Sequence, residues 1–236
     1  VLISLIAPLY VAVVLAVFWA GMIWRYLPEP PRRAAPVGVK KLRFTDLRIR
    51  PYLLLGFCTA YIMTTVHQVG AFYFQDLLHL TAAQTANRIG IALAAMAVVT
   101  MAAQFLIIRP FRLTPKTLLR AGSPVMAAGF VVLMFSATLP PLLFGMVLVG
   151  LGLGFCQPGN SAAASLMVAP HEQGGLAGIS MAANSLGFAL GPLLGSALYQ
   201  LNPALPFAFA LAMSGAISVY ALRLAIPDPG DYRPGG

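Results

Sequence analysis

The side chains able to do chemistry in this sequence are few, and they fall at regular spacings inside apolar stretches. Cys58, Tyr61, Thr65 and Gln68 recur every three or four residues, the interval that places side chains on one face of a helix. Such a stripe serves either as the wall of a solute cavity or as a source of hydrogen bonds to a neighbouring helix. His67 lies beside it and points towards Met63 and Thr64. An imidazole there either relays protons or bonds, uncharged, to another helix. Gln157 and Asn160 flank Pro158, where a kink frees backbone groups, so they contact a solute or satisfy that backbone. Asn184 carries the same two readings. Tyr61, Thr65, Gln68, His67, Gln157, Asn160 and Asn184 are therefore the candidate cavity residues.

Other chemistries are excluded by what the chain lacks. Its six acids, Glu29, Asp46, Asp76, Glu172, Asp228 and Asp231, fall in loops, at helix mouths or in the tail. That leaves His67 as the candidate for proton coupling inside an apolar segment. Asp76, His79 and Arg88 gather at one helix mouth, as a gate or as a solvated helix-end cluster. Cys58 and Cys156 sit in apolar segments and read as small buried residues, so neither a disulfide nor a metal site is expected. Gly159-Asn160-Ser161 offers a serine nucleophile, but the later histidine, His171, lies in a loop. A retinal Schiff base would need a lysine in the last helix, whereas Lys40, Lys41 and Lys116 are all in loops. No nucleotide-binding Gly-Lys-Ser/Thr pattern occurs. No catalytic residue, metal or cofactor is expected, and the chain is not expected to be an enzyme.

The elements that must position these residues follow from composition. The 236 residues are 59% hydrophobic and 9% charged, with a mean hydropathy of +0.84. A soluble domain carries about 25% charged residues, so the chain is read as a polytopic membrane protein. The net charge of +9 has no solvated face on which to collect, which excludes a nucleic-acid partner. Stretches without charge, broken by Thr138-Leu139-Pro140-Pro141 and by Asn202-Pro203 through Pro206, predict seven transmembrane helices. Their limits are 2–24, 51–75, 84–108, 117–137, 141–168, 175–199 and 205–226. The predicted fold is all-α: one helix plus a six-helix bundle of two inverted three-helix repeats. Residues 25–50 form a basic, Pro-rich linker, 51–226 the bundle and 227–236 a tail.

Basic residues set the orientation. Eight lie between 25 and 50, four between 109 and 120, and Arg223 and Arg233 near the end, all on one side of seven alternating spans; Arg88 alone is opposite. The 25–50 loop and the C-terminus are therefore expected in the cytoplasm of a bacterial inner membrane. Val1 then lies outside with no initiating Met or leader. The chain is accordingly expected to be the C-terminal half of a longer protein.

One string is more specific than helix counting. Gly178, Gly187, Gly191-Pro192 and Gly195-Ser196 lie in the sixth helix, and the last three glycines, spaced by four, share a face that admits a neighbouring backbone. The string resembles motif C of the drug/proton antiporters of the major facilitator superfamily, with Ser196 in place of the final Gly. The loop Arg109 to Arg120 resembles that family's degenerate motif A between its eighth and ninth helices, retaining Arg112 and Lys116, with Phe111, Thr114 and Pro115 departing from the pattern. Gly150, Gly152, Gly154 and Pro158-Gly159 look like its tenth helix, and residues 1–24 look like its sixth. The resemblance implies transport by alternating access, as drug or metabolite export coupled to protons. The implied partners are the lipid bilayer, a missing N-terminal half, a small-molecule substrate and protons. It assigns cytoplasmic gating to Arg112 and Lys116, and close packing and bending to Gly187 through Gly195. The alternatives are an uncoupled or symport-type metabolite or sugar facilitator of the same superfamily, and a seven-helix receptor.

Overall fold

A computed structural model describes residues 2–27 and 42–223, with side chains from Tyr10 onward. The described residues are helical apart from short turns and contain no strand. The helices are α1 (Leu2–Tyr26), α2 (Arg50–Leu78), α3 (Ala82–Phe111), α4 (Pro115–Phe135), α5 (Leu139–Leu166), α6 (Gln173–Leu201) and α7 (Leu205–Arg223). Each of α2 to α7 is long and apolar enough to cross a bilayer. The α1 helix belongs to a unit of its own, Val1–Val39, and the other six to a second unit, Lys40–Gly236. In α1 the guanidinium of Arg25 lies 5.7 Å from the ring centre of Tyr26.

Helix ends follow local chemistry. Thr81 and Gln84 form a capping box at the start of α3, with Gln84 Oε1 3.0 Å from the Thr81 N–H. Thr114 caps α4 ahead of Pro115, and Pro140 lies in the first turn of α5. α2 stops at His79, whose φ of 50° is left-handed. These caps set limits that charge-free stretches alone misplace. The gap between α3 and α4 shrinks to residues 112–114, because α3 runs on through a π-helical segment, Ala103–Ile108. Ile49 is fully buried and Leu42 packs against the core, so residues 42–49 lie against the bundle. Residues 28–41, and the expected tail at 227–236, lie outside the described residues.

Small residues decide which helices meet. On α5, Gly150 and Gly154 face α3, where an added Cβ would come within 2.8 Å of the Met96 carbonyl and 3.2 Å of that of Thr100. Gly152, half a turn away, faces α4 at 2.8 Å from the Gly122 carbonyl. On α4, Gly129 answers Gly145 of α5 in the same way. α5 is thus held backbone to backbone on two sides. α2 pairs with α6 as α3 pairs with α5, and α4 packs on α7. Exchanging α2–α4 for α5–α7 maps the first pair onto the second, but the most extensive pair, α4 with α5, maps onto the slight contact of α7 with α2.

Candidate functional site

α3 and α6 are the least buried helices of the bundle and α2 the most. Two cavities open on the side that α3 and α6 flank. The larger, about 540 Å³, lies between α2, α5 and α6; the smaller, about 270 Å³, between α2, α3 and α5.

Asn160 and Asn184 meet in the larger cavity. Gly56 makes room for both: a Cβ there would lie 2.6 Å from Asn184 Oδ1 and 3.4 Å from Asn160 Nδ2. Asn160 Nδ2 donates to the Tyr52 carbonyl at 3.0 Å, while its Oδ1 is buried without a partner. A buried acceptor left unpaired costs about 1–3 kcal/mol. Ser161, Ser180 and Ser185 add hydroxyls, and the lining carries no charged side chain.

His67 and Gln157 meet in the smaller cavity, with Met63, Met96 and Met101. Gln157 Nε2 donates to Met63 Sδ at 3.6 Å. Gln104 joins them from the π-helical segment. Sequence reasoning missed Gln104 because the added residue per turn shifts the side chains of that segment round the helix.

The stripe on α2 is divided. Tyr61 is buried, its hydroxyl has no partner, and its ring lies edge-on to Phe209 of α7 at 5.6 Å. Thr65 is buried and donates to the Gly191 carbonyl of α6 at 3.3 Å. Gln68 is exposed. Neither cavity includes these three, so they do not form one wall.

The glycines of α6 lie against α2. A Cβ on Gly187 would stand 2.5 Å from the Phe57 carbonyl, one on Gly191 would collide with Thr64 Oγ1, and one on Gly195 would meet Thr65 and Val69 at 3.1 Å. Gly178 has open space instead. Pro192 lies inside α6 on the turn that bonds Thr65.

The charged groups are at the ends. Arg48 bonds Asp46 Oδ2 at 2.9 Å and Glu172 Oε1 at 3.2 Å, joining the start of α2 to the start of α6. Hydrogen bonds from Arg48 hold Asp46 below the ordinary carboxylate range. Glu172 is lowered first by the Ala169 N–H and then by Arg48, whose own pKa is raised by both carboxylates. At the opposite end Tyr199 donates to Asp76 Oδ2 at 2.6 Å, again joining α6 to α2. Arg112 is exposed at a left-handed φ of 47° and Lys116 is half-buried. Between α3 and the bundle's end it is Arg120 that acts on a neighbour: it donates to the Ala221 and Leu222 carbonyls at the end of α7, at 3.2 and 2.9 Å.

Among curated proteins none matches this sequence. Residues 84–235, from the first turn of α3 onward, match the Major Facilitator Superfamily. With six helices long and apolar enough to cross a membrane, the chain belongs to the major facilitator superfamily, whose members move small molecules across membranes.

Proposed function

We propose that the open face of α2, α3, α5 and α6 is one half of a cargo cavity in a transporter that exports a drug-like or metabolite molecule in exchange for protons. The observation that carries this reading is the convergence of Gln157, Asn160 and Asn184 on two cavities on that face. A second six-helix bundle of the same polypeptide completes the cavity, and the two halves rock to expose it to either side. His67 is the titratable side chain on the face and the candidate proton carrier. Arg112 and Lys116 lie on the cytoplasmic side and gate there. The uncharged lining of the larger cavity favours a second reading, a facilitator for a neutral, hydrogen-bonding metabolite or sugar.

The natural polypeptide in proteoliposomes separates these. Export predicts that an imposed pH gradient drives ethidium, a lipophilic cation, and that Asn160→Ala slows it about tenfold, the equivalent of one hydrogen bond of roughly 1 kcal/mol or slightly more. Movement of glucose without response to the gradient would favour the facilitator. Movement of neither, at any gradient, overturns both.

A further inference from the structure

The smaller cavity holds thioethers that the transport reading does not use, beside the His67 imidazole that it does. Met63 and His67 are one helical turn apart on α2 and both line it, with Met96 and Met101 across from them on α3. Met63 Sδ accepts the Gln157 amide at 3.6 Å, so the sulfur meets a polar group of the cavity lining. No acidic or basic side chain lines the cavity apart from the imidazole.

We propose that this cavity binds a soft monovalent metal cation, copper(I) or silver(I), through the Met63 thioether and the His67 imidazole. Hard cations such as sodium or magnesium exchange water for oxygen ligands, carboxylates above all, and the lining supplies no carboxylate. Thioether and imidazole are the ligands that soft cations select. Among the described residues no cluster of His, Cys, Asp and Glu is able to hold a metal, so the sulfur here comes from methionine. Binding rests on the cavity alone; only the idea that the ion is cargo rests on the transport reading.

The test uses the whole natural polypeptide with Cys58→Ala and Cys156→Ala, so that thiols cannot capture the probe. It is titrated with silver nitrate in chloride-free detergent buffer and followed by calorimetry. We expect saturable binding of silver, none of sodium or magnesium, and a loss of about tenfold or more in affinity for Met63→Leu and for His67→Phe. The Met→Leu exchange conserves volume, and an unchanged melting midpoint verifies the fold. Absence of silver binding, or binding unaltered when Met63→Leu and His67→Phe are combined, overturns the inference. A cavity that takes ethidium but not silver overturns it equally, showing the methionines to be an adaptable apolar surface. Ethidium efflux is read separately, in the Cys58→Ala, Cys156→Ala protein with Met63 and His67 intact. Efflux without silver binding removes this inference and leaves the transport reading, and silver binding without efflux does the reverse.

Discussion

Arg48 is the residue through which charge acts at a distance along the chain, since it bonds Asp46 beside it and Glu172 at the start of α6. Both carboxylates are lowered, so their stabilising contribution is complete above the ordinary carboxylate range, about pH 4, and is lost as pH falls through the depressed folded values. The site is solvent-exposed and screened, so Arg48→Gln is expected to cost under about 1 kcal/mol at neutral pH. The difference from the parent should shrink below about pH 4. Melting midpoints in detergent at both pH values check this; a constant difference would show that charge is not involved. At this scale the sequence marked single polar residues well and their groupings poorly. Gln157, Asn160 and Asn184 stood out against an apolar background, and each lines a cavity. Tyr61, Thr65 and Gln68 share spacing, yet spacing says only which side chains lie together on α2, not which neighbour covers them. α6 and α7 cover the first two.

Between elements, α2 and α6 are joined three times: by Arg48 and Glu172 at one end, by Thr65 and the Gly191 carbonyl midway, and by Asp76 and Tyr199 at the other end. Gly187, Gly191 and Gly195 let the backbones approach. A methyl group at Gly191 has nowhere to go, and Gly191→Ala is expected to destabilise the bundle by about 1–3 kcal/mol. Gly178→Ala, with open space around it, should be neutral or stabilising by up to about 1 kcal/mol. Thermal unfolding of the two variants side by side tests the seam; equal effects would mean that the glycines matter only as flexible residues. The number of helices and the Gly187 to Gly195 face were legible, because hydropathy and a spacing of four are local signals. The α4 glycines that receive α5 were not, since Gly122 and Gly129 acquire meaning only once α5 is placed against them. Nor was the π-helical segment of α3, which no residue type announces.

For the whole molecule the question is which exposed surface meets lipid and which meets water, because both are apolar in part. Exposed side chains on α4 and on α6 look alike by composition: Ala128 and Ser185 are both exposed midway along their helices. They differ in surroundings. Ser185 lines the larger cavity together with Asn160, Asn184 and Gln173, and polar groups at membrane depth are tolerated where they face a cavity. Ala128 lines neither cavity. In a background lacking Cys58 and Cys156, Ser185→Cys is therefore expected to react with a charged, membrane-impermeant maleimide, and Ala128→Cys to stay unlabelled. Arg112→Cys, in the short gap between α3 and α4, tests sidedness: if the loop is cytoplasmic, as the distribution of basic residues leads one to expect, it should react in inverted vesicles and not in right-side-out ones. Labelling of Ala128→Cys with protection of Ser185→Cys would exchange the lipid and water faces and remove the cargo cavity from the side flanked by α3 and α6. Labelling of Ser185→Cys that slows when ethidium is added would place the cargo against the same wall on which Asn160 holds its unpaired oxygen.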